Sequence, residues 1–255
     1  MTKRFDQKVV VVTGSGSGIG AATARRFSEE GACIALNGRG RDKLDRVAAD
    51  LDPERTLVHA GDVSDQASAE ALIAAAVERF GRLDVLINNA GVVPTGSFLE
   101  ASVDDWRKVM AIDVDGVFFC TRAALPHLLR TMGNIVNVSS VSGLGGDWNM
   151  SFYNAAKGAV TNLTRSLALE LGEKGVRVNA VNPGLTFTDL TQDMKDDGAL
   201  MQKFADRIPL GRAAEADEVA DVIAFLASHE ARYVTGVNLP VDGGLMASNG
   251  QPRQA

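Results

Sequence analysis

Two polar side chains, Tyr153 and Lys157, stand four residues apart at the start of the run SFYNAAKGAVTNLTRSLALEL, which has the periodicity of a largely buried helix. Residues i and i+4 share one face of a helix, so the phenol and the ammonium are predicted to project towards the same site. A free tyrosine is a poor base at neutral pH because its pKa is about 10, and a neighbouring ammonium favours the phenolate. The spacing therefore suits acid–base catalysis. Taken alone, such a pair is more commonly a solvated helix surface, and the rest of the chain has to decide between the two interpretations.

A glycine-rich segment, TGSGSGIG, follows the first apolar run and precedes a helical pattern. Glycine permits a tight turn and a close approach of the backbone to a phosphate, and a helix N-terminus offers N–H groups to a pyrophosphate. A Walker-type phosphate loop is excluded because no Lys-Ser or Lys-Thr pair follows the glycines. The segment predicts a dinucleotide site, and a glycine-rich turn without a ligand is the alternative.

Polar or small residues also follow several other apolar runs, where the predicted strands end. In sheets of this kind a ligand lies across the carboxyl ends of the strands, where the strand order reverses. Ser140 follows the fifth run, and from there its hydroxyl can bind a substrate oxygen and hold the reacting carbon in place. The other strand-end residues are Asp62 and Val63 at the third run, Asn88, Asn89, Ala90 and Gly91 at the fourth, and Pro183, Gly184, Thr186 and Thr188 at the sixth.

Short β-branched runs alternate with amphipathic segments along the whole chain of 255 residues. Nearly continuous apolar runs indicate strands buried on both faces, as in a parallel sheet, and the segments between them have helical spacing. No Pro/Gly/Ser linker and no internal repeat divides the chain, so we expect one domain over 1–255 with a doubly wound α/β sheet. The seven predicted strands are 8–13, 33–37, 56–63, 84–90, 134–140, 176–183 and 237–242.

The alternation weakens over residues 185–212, where charges are mixed among scattered apolar side chains. A segment of this kind after the end of a strand is a candidate for a mobile lid over a ligand site. An ordinary connection with a short amphipathic helix is the alternative.

Composition and charge argue against several classes of protein. The formal net charge is −6 and the basic residues are scattered, so a nucleic-acid partner is not expected. No apolar run reaches about 18 residues, and the start MTKRFDQK lacks the apolar core of a signal peptide, so neither a membrane span nor secretion is expected. Cys33 and Cys120 are isolated, which is typical of buried reduced thiols in a cytoplasmic protein. His59, His127 and His229 lie far apart and form no metal motif.

The motifs fall in the order and spacing of the short-chain dehydrogenase/reductase family, which the chain resembles over essentially its whole length. Within that family, SVSGLGGDW and the tail ASNGQP resemble bacterial acetoin or 2,3-butanediol dehydrogenases. The motifs that carry the family resemblance are TGxxxGxG at 13–20, NNAG at 88–91, Ser140, Tyr153-x-x-x-Lys157, Pro183-Gly184 and VDGG at 241–244.

The resemblance implies a Rossmann-type fold and an enzyme that transfers a hydride between nicotinamide and a secondary alcohol or ketone. It makes Tyr153 the proton donor or acceptor, Lys157 its modulator and a ribose ligand, and Ser140 the residue that orients the substrate. The implied cofactor-binding residues are Gly14, Ser15, Gly16, Ser17, Gly18, Ile19, Gly20, Gly38, Arg39, Asp62, Val63, Asn89, Ala90, Gly91, Tyr153, Lys157, Pro183, Gly184, Thr186 and Thr188.

The expected substrate pocket is mainly apolar and contains no arginine that would clamp a carboxylate or a phosphate. Uncharged carbonyl, alcohol or diol substrates are therefore predicted. The residues expected to line the pocket are Val92, Val93, Ser140, Ser142, Leu144, Trp148, Asn149, Tyr153, Leu190 and Met194.

One position departs from the family's pattern. In MAIDVDGVFF, Asp113 takes the place of a common asparagine whose backbone carbonyl holds a water that links the lysine to solvent. The carbonyl is still available, so Asp113 is retained as a catalytic-site residue. A carboxylate near Lys157 would also oppose ionisation of the tyrosine.

The end of the second predicted strand, CIALNGRGRDKL, bears on the choice of cofactor. An NAD-specific site usually has an acidic residue there, which binds the ribose 2′-hydroxyl and repels a 2′-phosphate. Here Gly38 holds that position, and Arg39 and Arg41 follow. A guanidinium can hold a phosphate bidentately, so NADP(H) is expected, with NAD(H) and a merely solvated Arg39 as the alternative.

Two other functions share the motifs. A 3-oxoacyl-carrier-protein reductase would need basic residues to dock an acidic carrier, and Arg130 and Lys174 form no evident cluster. A regulatory dinucleotide sensor would not need the serine, tyrosine and lysine that are all present.

The resemblance also implies a homotetramer, and the runs GVFFCTRAALPHLL and AVTNLTRSLALEL are apolar over more than one face, as doubly buried helices must be.

Overall fold

The computed structural model describes residues 3–189 and 191–251. All seven predicted strands are present and pair in parallel, so the predicted Rossmann-type sheet is confirmed. A separate pair of very short strands was not predicted. The strands are β1 (Val9–Val12), β2 (Cys33–Gly38), β3 (Thr56–Ala60), β4 (Val85–Asn88), β5 (Asn134–Val138), β6 (Arg177–Pro183), β7 (Thr186–Phe187), β8 (Ala214–Glu215) and β9 (Asn238–Val241).

The order of strands in the main sheet is β3–β2–β1–β4–β5–β6–β9. The order therefore reverses at β1, which pairs with β2 on one side and with β4 on the other. Because all the strands are parallel, their carboxyl ends meet at one edge of the sheet. A crevice for a ligand is expected at that edge, between the ends of β1 and β4.

Helices cover both faces of the sheet. None of them, within the described residues, is long and apolar enough to cross a membrane. They are α1 (Gly18–Glu29), α2 (Arg41–Ala48), α3 (Gln66–Phe80), α4 (Val103–Met110), α5 (Gly116–Thr131), α6 (Ser151–Leu171), α7 (Gln192–Lys195), α8 (Gly198–Arg207) and α9 (Ala216–Ala227).

The core consists of two layers, and strand β1 contributes to both. Val10 and Val12 pack with apolar residues of α1 and α9, whereas Val9 and Val11 pack with those of α3, α5 and α6. Successive side chains of a strand point to opposite faces, so a strand that is covered on both sides has a continuous apolar sequence. This arrangement explains why the strands could be recognised as unbroken apolar runs.

The segment proposed as a lid, 185–212, begins with strand β7, which pairs with β8 just beyond its end. It continues through α7 and α8, and α8 has no buried residue. The segment thus begins beside the carboxyl edge of the sheet, and beyond α8 its Ile208 is buried.

Candidate active site

Helix α6 carries the phenol and the ammonium that the sequence singled out. Both lie in its first two turns, and the Nζ of Lys157 is 5.5 Å from the centroid of the Tyr153 ring. Lys157 is only 5% exposed, and Tyr153 is half-buried. The structure thus brings the two side chains together on one face of the helix, as the four-residue spacing predicts.

The Lys157 ammonium is held by two oxygens inside the protein. It donates a hydrogen bond to the carbonyl oxygen of Val138 at 3.1 Å, and the Oδ2 of Asp113 lies 3.2 Å away. Burial works against the charge, but attraction to the Asp113 carboxylate and to the negative charge that Tyr153 carries as a phenolate outweighs it and raises the pKa of Lys157 above its ordinary value. The group is therefore a fixed cation beside the tyrosine.

Asp113 reaches the site from a π-helical turn, Ala111–Asp115, between α4 and α5. Turns of this kind occur often at functional sites. The carboxylate is completely buried, and its Oδ1 accepts a hydrogen bond from the backbone N–H of Val92 at 2.9 Å. The structure thus places the predicted catalytic-site residue directly against Lys157.

Ser140 lies just beyond β5, and its side chain is buried. Its Oγ accepts a hydrogen bond from the backbone N–H of Ser142 and donates one to the Ser142 hydroxyl, each at 3.1 Å. The Ser142 hydroxyl in turn donates to the carboxylate of Asp147. The amide of Asn154 donates to the carbonyl oxygen of Ser142 at 2.9 Å and fixes this loop on α6.

Asp147 and Asn154 were not predicted as site residues, although both lie within the motifs quoted above. Their roles depend on contacts between the loop and the helix, which spacing does not reveal.

Thr13 was also missed as an individual residue. Its hydroxyl accepts hydrogen bonds from the backbone N–H groups of Asn89 and Ala90, at 2.9 and 3.0 Å, and so joins the ends of β1 and β4.

The glycine-rich loop is shaped by close contacts that exclude a side chain. Gly14 has a φ of +65°, and a Cβ there would lie 2.8 Å from the Cα of Ala90. A Cβ on Gly20 would lie 2.4 Å from the carbonyl oxygen of Gly14. The other two glycines face neighbouring segments: a Cβ on Gly16 would meet Lys43 at 3.1 Å, and one on Gly18 would meet Thr188 at 3.0 Å.

These contacts fit a dinucleotide. The loop closes tightly on the NNAG segment, and Ser17, the N-cap residue just before α1, makes no side-chain capping hydrogen bond to the first turn of that helix. The backbone N–H groups of the first turn are therefore free of a side-chain cap and could bind a phosphate, as in dinucleotide sites. Together with Lys157, the residues at the strand ends would hold the rest of the cofactor, and among them Val63 and Thr186 are buried.

The end of β2 has no acidic residue. Gly38 is the last residue of the strand, and Arg39 is exposed and makes no ion pair among the described residues. Arg41, by contrast, pairs with Asp45 at 2.8 Å, and Lys43 pairs with Asp189 at 3.1 Å. Of the two predicted arginines, Arg39 is thus the one whose guanidinium makes no ion pair among the described residues.

Only some of the residues predicted to line the substrate pocket are buried. Val92 and Leu144 are half-buried and Ser142 is buried, but Trp148 is 88% exposed and Asn149 is exposed as well. Leu190 lies outside the described residues. A cavity of about 320 Å³ between the segment 94–98 and the start of α6 includes Asn149 in its lining, but neither Tyr153 nor Ser140.

Comparison with known proteins assigns the chain to a family. Residues 14–246 match the family described as "Enoyl-(Acyl carrier protein) reductase". The meso-2,3-butanediol dehydrogenase of Serratia marcescens is 54% identical over 250 residues, which cover 98% of this chain and 99% of that protein. A crystal structure titled short-chain dehydrogenase/reductase SDR: glucose/ribitol dehydrogenase, from Brucella melitensis, superposes with a TM-score of 0.91 at 37% identity and covers 96% of this chain and 99% of its own.

The chain is a short-chain dehydrogenase/reductase. The predicted family is therefore confirmed, and so is the predicted class of enzyme: an oxidoreductase that uses a nicotinamide cofactor and acts on a secondary alcohol or ketone. A 3-oxoacyl-[acyl-carrier-protein] reductase of Thermotoga maritima is also similar, at 36% identity over 95% of this chain and 99% of that protein. That lower identity favours the main interpretation over the carrier-protein alternative.

Proposed function

We propose that this short-chain dehydrogenase/reductase interconverts a small uncharged secondary alcohol or vicinal diol and the corresponding ketone. The observation that supports the proposal most is the position of the Lys157 ammonium. It is buried, it lies 5.5 Å from the centroid of the Tyr153 ring on the same helix, and it is beside the end of β5, which Ser140 follows. A fixed cation next to a phenol is the arrangement that makes tyrosine an effective proton donor and acceptor.

A nicotinamide cofactor held by the glycine-rich loop, the strand-end residues and Lys157 would supply the hydride chemistry at the carbinol carbon. The Oη of Tyr153 takes the proton of the substrate hydroxyl during oxidation and gives it back during reduction. The Oγ of Ser140 binds the same substrate oxygen, which fixes the reacting carbon. Lys157 keeps a positive charge beside the phenol, and this charge stabilises the phenolate that starts the oxidation.

The proposal of an uncharged diol or hydroxyketone rests on two supports. The relative from Serratia marcescens bears the name meso-2,3-butanediol dehydrogenase and aligns over nearly the whole of both chains. The residues predicted to line the pocket are mainly apolar and include no arginine or lysine. A carboxylate or phosphate on the substrate would thus lack a partner.

We further propose that NADP(H) is the preferred cofactor. Support comes from the end of β2, where Gly38 offers no carboxylate to repel a 2′-phosphate and where Arg39 is exposed without an ion-pair partner among the described residues. Phosphate binding by arginine is a charge-assisted hydrogen bond, which is stronger than a neutral one.

A homotetramer is proposed as the assembly, with α5 and α6 in one interface. Phe118 of α5 is 48% exposed and Leu169 of α6 is 85% exposed, so both helices still present large apolar side chains to solvent. Burial of such side chains against a second copy would stabilise an oligomer. Light scattering of the purified chain should give about four times the mass of 26.9 kDa. A stable monomer at micromolar concentration would contradict the proposed assembly.

The substrate proposal is tested by an assay of the purified protein with acetoin, meso-2,3-butanediol, an aryl ketone, a phosphorylated ketone and acetoacetyl thioesters, in which the absorbance of the reduced nicotinamide is followed. We expect turnover of the uncharged diol and hydroxyketone. A strong preference for the phosphorylated ketone or the thioester would contradict the proposed substrate class.

A further inference from the structure

The carboxylate of Asp113 and the ammonium of Lys157 form an ion pair inside the candidate active site. Their side chains are 0% and 6% exposed, and Asp113 Oδ2 lies 3.2 Å from Lys157 Nζ. Most ion pairs of this chain lie at the surface, where solvent weakens them. Inside the protein the two charges act on each other and on their neighbours with little screening.

The surroundings of Asp113 suit a negative charge. Its Oδ1 accepts the backbone N–H of Val92 at 2.9 Å, while no described donor makes a regular hydrogen bond to Oδ2. Oδ2 is therefore balanced by the nearby ammonium alone. Gly91 leaves the space that the pair needs, because a Cβ at that position would lie 2.9 Å from Asp113 Oδ2 and 3.3 Å from Lys157 Nζ.

Few other charges act on the pair. From α6 the group that faces Lys157 is Tyr153, and from β5 it is the uncharged carbonyl of Val138. Asp115, on the same π-helical turn as Asp113, is exposed. The charged residues of the adjoining helices and loop are also exposed: Asp104, Asp105, Arg107 and Lys108 on α4, Arg122 and Arg130 on α5, Arg165 and Glu170 on α6, and Asp147 in the loop before α6.

A lone ammonium would stabilise the Tyr153 phenolate. A carboxylate 3.2 Å from that ammonium opposes part of the field that the ammonium exerts at the phenol. A protonated tyrosine is the form required to reduce a ketone, and the phenolate is the form required to oxidise an alcohol.

We infer that Asp113 is a positioning residue which offsets the charge of Lys157, raises the pH at which Tyr153 ionises, and thereby favours ketone reduction over alcohol oxidation near neutral pH. The inference rests on the proposed roles of Tyr153 and Lys157. The inference concerns the residue that transfers the proton and not the identity of the substrate.

The ionisation of Tyr153 can be observed without any turnover. The chain contains two tyrosines, and the other one, Tyr233, is fully exposed. In a Tyr233→Phe background, the ultraviolet absorbance of phenolate therefore reports on Tyr153 alone. The measurement is a pH titration of this absorbance in the Tyr233→Phe protein and in the same protein with Asp113→Asn.

We expect the half-maximum of the phenolate signal to move down by about one pH unit in the Asp113→Asn protein, since a nearby charge shifts such ionisation by about 1–3 units. The matched control is Asp115→Asn, which removes the same charge two residues away at an exposed position, and it should move the half-maximum by less than about 0.3 unit. A half-maximum that is unchanged or higher in Asp113→Asn would overturn the inference.

A second neutral variant, Asp113→Ser, covers the case in which asparagine disturbs folding, and circular dichroism verifies that each variant is folded. Serine should lower the half-maximum as asparagine does. If neither neutral variant folds, the carboxylate is a structural requirement and the inference is overturned.

The activity profile provides a separate readout. In Asp113→Asn, the pH dependence of kcat/KM for alcohol oxidation should shift down by the same interval, and oxidation at pH 7 should rise by up to about tenfold, the factor that corresponds to one unit. A uniform loss of activity at every pH, with an unmoved profile, would assign Asp113 a purely structural role. If instead Tyr153→Phe retains full activity, the proposed function fails, whatever the absorbance titration gives.

Discussion

The choice between NADP(H) and NAD(H) can be tested by exchange of two neighbouring side chains, in the variant Gly38→Asp/Arg39→Leu. The structure accommodates both changes. A Cβ on Gly38 would lie 3.5 Å from the nearest side-chain atom of Leu44, which is an ordinary contact, and Arg39 is exposed without an ion pair among the described residues. The exchange therefore alters the charge at the end of β2 without disturbing the core.

The expected magnitude follows from the exposure of Arg39. A hydrogen bond to a charged group contributes about 1.5–3 kcal/mol, and an exposed one belongs at the lower end of that range. The loss of about 1.5 kcal/mol towards the 2′-phosphate lowers the preference for NADP(H) by about tenfold. The new aspartate adds a hydrogen bond to the ribose 2′-hydroxyl of NAD(H) and repels the phosphate, which contributes about another tenfold.

The measured quantity is the ratio of kcat/KM with NADPH to kcat/KM with NADH, for reduction of one ketone at fixed pH and ionic strength. The ratio should exceed one in the unmodified enzyme and fall by about a hundredfold, to below one, in the variant. Arg41→Leu is the matched control, because Arg41 is already paired with Asp45 and its loss should change the ratio far less. A ratio well below one in the unmodified enzyme would show that Arg39 does not bind a phosphate.

Two further predictions concern the site and the fold. Gly91→Ala should lower kcat by about tenfold or more, because the new Cβ would lie 2.9 Å from Asp113 Oδ2. The control is Gly158→Ala, whose Cβ would have no atom within 4 Å, and it should leave kcat unchanged. A full kcat in both variants would contradict the packing described. Asp84→Asn should reduce the free energy of unfolding by about 1–3 kcal/mol at pH 7. Burial opposes the charge of Asp84, but Arg82 and Lys8 outweigh this effect and lower the pKa of the carboxyl group. The stability that the charge provides is therefore present above about pH 4 and is lost as the pH falls through the lower pKa of the folded state. Urea titrations should show the difference from the unmodified protein staying nearly constant from pH 7 to about pH 5 and shrinking below about pH 4, and a difference that grows on acidification would refute the assignment.

The sequence predicted the main sheet well because its signals are local. Strands buried on both faces are unbroken apolar runs, and all seven strands of the main sheet begin and end within a few residues of those runs. The short strands β7 and β8 escaped prediction, because a pair of two-residue strands has no periodicity of its own. Their pairing depends on how the segment 185–212 lies against the sheet.

The candidate site could be predicted as a set of residues, but the contacts among them could not. The helical spacing correctly placed Tyr153 and Lys157 side by side. The hydrogen bond from Lys157 to the carbonyl oxygen of Val138 and the path from Ser140 through Ser142 to Asp147 join segments whose proximity exists only in the folded chain. The same reason explains Trp148: its place in a quoted motif predicted a pocket wall, yet in the structure its side chain is 88% exposed.

The central claim is that the hydroxyl of Tyr153 transfers the proton of the substrate, and the most direct measurement is the turnover of Tyr153→Phe with the best diol or ketone of the substrate assay. The ring remains and only the proton-bearing oxygen is lost, so kcat should fall by about 10²–10⁴-fold while the Kd of the cofactor stays close to that of the unmodified enzyme. Tyr233→Phe, which alters the fully exposed second tyrosine, should retain full activity. Retention of more than about a tenth of kcat by Tyr153→Phe would contradict the claim, because a group that carries the proton contributes at least about a hundredfold.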